Sequence, residues 1–375
     1  MWSYRNPVNV RFGVGLFAQL ADAIAGRSYA LVTYPDAFCR TLSAQLAAKA
    51  GAPLLTIDDI APNPDIRLLQ DQTARFETLA VQPQVIVALG GGSVIDSAKV
   101  FAAARGDFAA MEAFLKKRST ADSIDPLPLI AVPTTAGTGS EVTSWGTVWD
   151  AEGGNKYSLA HPKLYPELAF VDPQLMLGKP LGLTIQTGLD ALSHSFESLW
   201  NHSANPVSMA HAVTAARGII ATLPKLVADP ANLELRAAMA RASTLAGFAF
   251  SNTKTAIAHS LSYPITLRHG VPHGIACSFS LPMVIRSVAD EQGICAEGID
   301  AILGATGHAG AERLAAFLSG LGVAVDHRDY GITDRELAEL IDQAIGGERG
   351  QNYIGTKENL LRAAGLNTEQ CADVA

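Results

Sequence analysis

Cysteine is scarce and scattered in this chain. The four are Cys39, Cys277, Cys295 and Cys371; no two lie close together and no CxxC pair occurs. That argues against a disulfide scaffold and a cysteine-based zinc site, and it fits a reducing compartment. Positive charge is also short, with 28 Lys+Arg against 36 Asp+Glu for a net charge of −8. Nucleic acids and anionic membranes both want a basic face, so neither is expected as a partner, although a small basic pocket stays open. No uninterrupted apolar run approaches the roughly 20 residues that span a bilayer. The opening MWSYRNPVNVRFG lacks the charged-then-apolar pattern of a signal peptide, so a cytoplasmic location is expected.

What is present is a large interior. Hydrophobic residues make up 48% of 375, enough for two domains of ordinary size. The first half alternates short β-branched runs with helical segments. YALVTY, PLLTI, QVIVALG and PLIAVPTT read as strands, and shorter ones are expected at WGTVWD, KYSLAH and LAFVD. DAFCRTLSAQLAAKAG, DIRLLQDQTARFETLA and SVIDSAKVFAAAR read as the helices between them. Alternation at this spacing predicts a parallel sheet covered by helices. Past about residue 180 apolar residues recur only at helical period, as in TGLDALSHSFESLW and NLELRAAMARASTLAGFAF. The Gly/Pro-rich joint LGKPLG at 177–182 sets the expected boundary. The fold class is therefore an α/β N-terminal domain with a parallel sheet over 1–180 and an all-α C-terminal domain over 181–375.

QVIVALGGGSVIDSAK runs a buried strand into three glycines and a serine, then into a helix. Glycines let backbone approach a ligand closely, and a helix start offers unpaired N–H groups with positive partial charge. That suits a pyrophosphate, which makes the first domain a dinucleotide-binding one. A second loop, VPTTAGTGSEVT, carries Thr134, Thr135, Thr138 and Ser140, whose hydroxyls could bond a ribose or phosphate. GVGLFA at 13–18 also matches GxGxxA, with Asp36 placed where a ribose-binding acid would stand. The run before it, VNVRF, is short and polar, so a hairpin or edge strand is expected there instead.

GLDALSHSFE places Asp190 and His194 four residues apart, on one face of a helix. AIAHSLSYPITLRHGVPHGIACSF adds His259, His269 and His273. His259 lies in an apolar helical run, where a lone imidazole is costly, and His273 follows a Gly-Val-Pro turn. Asp190, His194, His259 and His273 make one carboxylate and three imidazoles, a set that suits Fe(II) or Zn. With a divalent ion the set keeps a net positive charge and could stabilise a developing alkoxide. Cys277 is read as a core residue. His161, His202, His211, His308 and His327 are read as surface residues or as lying behind the ligands.

GGGSVIDSAK, PTTAGTGSEVT, GLDALSHSFE and the His259…HGVPHG segment occur in the order and spacing of the iron-containing alcohol dehydrogenases, which this chain resembles from about FGVG to at least residue 285. The resemblance implies a nucleotide-binding α/β domain, a helical domain, and a catalytic metal held by Asp190, His194, His259 and His273. It implies a metal-dependent NAD or NADP oxidoreductase in which nicotinamide delivers hydride to a small aldehyde, or takes it from the alcohol. Gly91, Gly92 and Ser93 would hold the pyrophosphate; Asp96, more than Lys99, would contact the cofactor; Thr134, Thr135 and Thr138 would line the ribose and nicotinamide side. Lys156 matches a family lysine at the cofactor, or is an exposed strand lysine. A homodimer is expected. The alternative activity is that of the dehydroquinate synthases, lyases that resemble this architecture and use NAD and a metal.

Two positions depart from the family pattern. Many members carry a histidine four residues after the third ligand, where this chain has Tyr263. Many NAD-preferring members carry an aspartate after the first strand of the nucleotide domain, where this chain has Tyr34; without that acid NADP is open. Tyr263, Arg268 and His269 are the candidate substrate-side residues, and they suggest an aldehyde with an anionic tail. AHSLSYPITLRHGVPHG resembles the phosphonoacetaldehyde reductase branch, with sulfoacetaldehyde and succinate semialdehyde as related candidates; an ordinary aliphatic alcohol, with Arg268 facing solvent, is the plainer reading.

Overall fold

The computed structural model describes residues 1–117, 120, 124–150, 152–153 and 155–366; Cys371 lies outside them. They form two compact units: one is Asn6–Gly178, and the other joins Met1–Arg5 to the chain from Lys179 onward.

The first unit is built on strands β1 (Asn9–Phe12), β2 (Tyr29–Thr33), β3 (Leu55–Ile57), β4 (Val85–Gly90), β5 (Leu129–Pro133), β6 (Trp145–Asp150), β7 (Asn155–Ala160) and β8 (Leu168–Val171). Helices α1 (Leu20–Ile24), α2 (Ala37–Ala50), α3 (Ile66–Ala74), α4 (Gly92–Ala104) and α5 (Phe108–Leu115) run between them. Six strands form a parallel sheet in the order β1-β8-β5-β4-β2-β3. The expected strands WGTVWD and KYSLAH are β6 and β7, but they leave this sheet and pair antiparallel with each other.

Strands β2, β4 and β5 are buried along their whole length, as helices on both faces require. Successive side chains go to opposite faces. Ala30, Val32, Ile86, Ala88, Leu129 and Ala131 pack with Leu69, Val94 and Phe101 on one side. Tyr29, Leu31, Val85, Val87, Ile130 and Val132 pack with Leu20, Ile24, Leu42 and Leu46 on the other.

The polar run NVRF is the edge strand β1, mostly exposed. The GxGxxA turn after it is filled from within: Asp172 accepts from the N–H of Gly15 at 3.0 Å and of Phe17 at 2.9 Å. Those are amides a pyrophosphate would need. Asp36, in the place of the ribose acid, caps α2 by accepting from the N–H of Cys39 at 2.7 Å.

Lys99, on α4, is a fully buried cation. It donates to the Ser140 carbonyl at 2.7 Å, the Ser140 hydroxyl at 2.9 Å, the Thr143 hydroxyl at 3.2 Å and the Trp145 carbonyl at 2.7 Å. It thereby holds the threonine loop and the start of β6 against α4. Burial lowers its pKa to about 8, against the pull of Asp96 and Glu141 in the other direction.

The second unit is helical. Its elements are α6 (Leu181–Glu197), α7 (Pro206–Ala228), α8 (Leu233–Thr253), α9 (Ile257–His269), α10 (His273–Ser278), α11 (Leu281–Ser287), α12 (Ile294–Leu303), α13 (Gly307–Gly320), α14 (Asp334–Gly346) and α15 (Lys357–Ala363). Helix α6 is the centre of this unit, packed by α7, α8 and α10, and every residue of its last ten is buried. The first residues of the chain attach here through the Tyr4 hydroxyl, which donates to the Phe248 carbonyl at 3.0 Å.

Replacing Lys99 removes all four of these contacts at once and leaves buried acceptors and a carboxylate without their cation. Lys99→Met should lower stability by on the order of 3 kcal/mol, read as a lower midpoint in denaturant unfolding. An unchanged midpoint would mean the threonine loop is held by its other contacts.

Candidate metal centre and nucleotide loops

On α6, Asp190, His194 and Glu197 are spaced by four and three residues, so they share one face, and all three are buried. His259 comes from α9 and His273 opens α10. Helix α10 can sit this close because residue 274 is glycine: a Cβ there would run into the Gln186 carbonyl oxygen of α6. The HG of HGVPHG is therefore a packing requirement that delivers His273 to Asp190.

Around Asp190 Oδ1, His259 Nε2 lies at 3.3 Å, His194 Nε2 at 3.7 Å and His273 Nε2 at 3.8 Å. Asp190 Oδ1 and His259 Nε2 are fully buried, yet neither makes a hydrogen bond; their approach has the distance of an ion pair without the geometry of a donor and acceptor. Two atoms about 2.1 Å from one ion stand roughly 3.0–3.5 Å apart. These donors therefore fit a divalent metal better than they fit one another.

The ligating atoms of Asp190, His259, His273 and Cys277 all lie within 4.8 Å of one another. His194 sits beside this group, its ring stacked on Phe250 at 4.0 Å and on His259 at 4.6 Å. Cys277, expected in the core, is buried but faces the centre, its Sγ 3.7 Å from His273 Nε2.

Charge converges here. Burial pushes the Asp190 carboxyl up, but His194, His259 and His273 outweigh it and hold it well below the usual carboxylate range. Burial pulls His259 down, but Cys277, Glu197 and Asp190 outweigh it and hold the imidazole well above its usual value.

Glu197 ends the stretch GLDALSHSFE and had no role in the sequence reading. It is fully buried. Its Oε2 lies 2.5 Å from His259 Nδ1, and its Oε1 accepts from the His259 backbone N–H at 3.0 Å. A carboxylate on Nδ1 keeps the proton there, so Nε2, the atom facing Asp190, is the one that would give up its proton and offer a lone pair to a metal. The signal was its spacing of three from His194 on the ligand face.

Tyr263 lies beside the centre, its ring parallel to that of His273 with centroids 5.8 Å apart. Arg268 and His269 turn to Glu336 on α14: His269 Nε2 is 2.9 Å and Arg268 Nη1 3.7 Å from its Oε1, and the Arg268 side chain is 50% exposed. The cation that lies over Tyr263 is instead Arg349, 5.2 Å from the ring centroid and donating to the Thr255 hydroxyl. Two of the remaining histidines are structural: buried His161 accepts from the Lys163 N–H at 3.2 Å, and buried His327 meets Asp334 at 2.9 Å.

In the first unit the chain steps outward from β2 to β3 on one flank and from β4 to β5 on the other, so strand order reverses between β2 and β4. Ligands of open parallel sheets bind beyond the carboxyl ends of the strands at such a point. Those ends carry Tyr34 after β2, Gly91, Gly92 and Ser93 after β4, and Thr134, Thr135 and Thr138 at and after β5. A Cβ at Gly92 would meet the Thr138 side chain at 2.5 Å, and one at Gly91 would stand 3.2 Å from Thr135 Oγ1 and 3.7 Å from the Tyr34 hydroxyl. The glycines thus let two loops close on each other at the start of α4, where backbone N–H groups could hold a phosphate. Thr134 Oγ1 is buried there without a hydrogen-bond partner. Asp96 has both oxygens engaged, accepting from the Ser140 hydroxyl at 2.5 Å and the Thr147 N–H at 2.9 Å. Lys156 lies over the Trp149 ring at 5.1 Å.

A glycine turn at the reversal of a parallel sheet, with a carboxylate and imidazole cluster on a helical unit, defines a nucleotide-linked, metal-dependent class. The comparisons agree. The profile of the iron-containing alcohol dehydrogenases matches residues 7–173, and that of the Fe-containing alcohol dehydrogenase family C-terminal region matches residues 184–361. The chain is 31% identical over 369 residues to 1,3-propanediol dehydrogenase of Klebsiella pneumoniae, covering 92% of each. It is 40% identical over 201 residues to NAD-dependent methanol dehydrogenase of Bacillus methanolicus, 53% of this chain and about half of that one at 52%. Sulfoacetaldehyde reductase from Bifidobacterium kashiwanohense, solved in complex with NAD+, superposes with a TM-score of 0.87 at 29% identity and 100% coverage of both chains. The chain belongs to the iron-containing alcohol dehydrogenase family and is an oxidoreductase of that class.

Orientation of His259 by Glu197 has a measurable cost. Glu197→Gln should weaken divalent-metal binding about 10- to 100-fold, measured by chelator competition, with the helical circular dichroism signal unchanged. Unaltered affinity would show that packing alone holds the ring.

Proposed function

We propose that this protein reduces small aldehydes bearing an anionic tail, with NADH or NADPH as hydride donor, and that Asp190, His194, His259 and His273 hold its metal. Arg349 carries the substrate reading, because its guanidinium lies over Tyr263, whose ring in turn lies parallel to His273. This replaces Arg268, whose charge is met by Glu336 and solvent. The likeness to a sulfoacetaldehyde reductase supports the same class of substrate, and phosphonoacetaldehyde has the same plan of a short aldehyde with an anionic end.

When bound, nicotinamide supplies the hydride and Fe(II) or Zn supplies positive charge for the carbonyl oxygen. The chain does the rest. Glu197 holds His259 in the tautomer that presents Nε2. Asp190 gathers the imidazoles. Tyr263, a neutral phenol, orients a substrate oxygen by donating a hydrogen bond, and Arg349 receives the anionic tail by charge-assisted hydrogen bonds. Gly91, Gly92 and Ser93 hold the pyrophosphate at the start of α4, with the threonines 134, 135 and 138 lining the sugar side. Tyr34 stands where an acid would repel a 2′-phosphate, so NADPH is accepted.

The test is an aldehyde panel assayed with NADH and NADPH after loading with Fe(II) or Zn. His259→Ala should lose metal and turnover together. Arg349→Ala should raise KM for sulfoacetaldehyde about tenfold or more while leaving KM for propanal within about twofold. Equal effects on both aldehydes, or better turnover of propanal by the unmodified enzyme, would reject the anionic substrate.

A further inference from the structure

The centre holds one donor more than the four residues assigned above. Cys277 lies one helical turn after His273 on α10, so the two side chains share a face. Its sulfur is 3.7 Å from His273 Nε2 and 3.8 Å from Nδ1. It is fully buried and in no disulfide. With Asp190, His259 and His273 it completes a set whose ligating atoms lie within 4.8 Å of one another. Two atoms of that set, Asp190 Oδ1 and His259 Nε2, are buried without a hydrogen bond. His194 is held differently, its ring between those of Phe250 and His259.

We propose that this centre has a second coordination mode, in which Asp190, His259, His273 and Cys277 bind a zinc-class ion through three hard or borderline donors and one thiolate. The inference rests on reading the Asp190 group as a metal centre. The thiol proton passes to the buffer as the sulfur–metal bond forms. Thiolate is the softest donor available here, so this mode favours zinc or cadmium over Fe(II), while the set with His194 offers only oxygen and nitrogen. The modes also differ in charge. Two anionic ligands cancel a divalent ion, whereas Asp190 with three imidazoles leaves one positive charge.

Cobalt(II) reports both modes without turnover. Metal-free wild-type protein titrated with Co(II) should show visible ligand-field bands together with a sulfur-to-cobalt charge-transfer band in the near ultraviolet. In Cys277→Ser and Cys277→Ala the ultraviolet band should vanish while the visible bands persist; alanine is included because a serine oxygen could ligate in place of sulfur. Chelator competition should show zinc binding weakened roughly tenfold or more in Cys277→Ala, and Fe(II) binding changed much less. Visible bands without the ultraviolet band in wild-type protein would overturn this inference and leave the metal centre standing. Failure of the wild-type protein to bind cobalt would overturn both.

Discussion

A carboxylate buried among imidazoles is the constraint on which the helical unit depends. Asp190 is buried, and its Oδ1 has no hydrogen-bond donor among the described residues. Removing a charge from water is costly unless positive charge and polar partners surround it. The unit answers by bringing three helices to one point: α6 supplies Asp190 and His194, α9 supplies His259, and α10 supplies His273. Gly274 lets α10 reach α6, and Glu197 fixes which nitrogen of His259 looks inward. Change the charge at Asp190 and the reason for all these placements disappears.

The α/β unit solves a related problem in the opposite sense. To accept a phosphate, as proposed, its loops would have to be open at the backbone yet held well enough to stay in place. Small residues do the first: Gly91 and Gly92 allow the threonine loop to close over the start of α4. Buried ionic ties do the second. Lys99 and Asp96 work from inside α4, one donating to the loop and to β6, the other accepting from Ser140 and Thr147. Asp96 and Lys99 thus sit next to the glycine turn in sequence while their polar atoms are turned to the protein's own backbone and hydroxyls.

Local patterns carried much of this. The buried strands β2, β4 and β5 are continuous apolar runs, and the glycine turn after β4 is visible as letters. The i, i+4 pair of Asp190 and His194 needs only a helix to be meaningful. Contacts between distant segments were harder to see. Arg349 reaches Tyr263 across 86 positions, with no periodicity to announce it. Cys277 is the buried residue expected from its apolar run, but that its sulfur faces His273 depends on packing that a lone cysteine does not announce. Arg268 looked free until Glu336 came beside it. Glu197 is the instructive omission, since it stood on the same helix face as two residues already chosen; its partner was the unseen part. The GxGxxA match at GVGLFA was set aside because the run before it is short and polar; the acid that fills that turn, Asp172, lies more than 150 residues away and could not be seen.

That last contact bears on how the sheet is assembled. Among the described residues β1 pairs only with β8, Asn9 lying opposite Leu168, and Asp172 follows directly to cap the turn beyond β1. Of the six strands of this sheet, the earliest in the chain therefore has no neighbour until the last has been made. During synthesis β2, β3, β4 and β5 can join in close succession, while β1 waits for a loop of long sequence separation to close. Its polar, mostly exposed residues suit that wait, since an apolar strand left unpaired for so long would invite other chains to its edge.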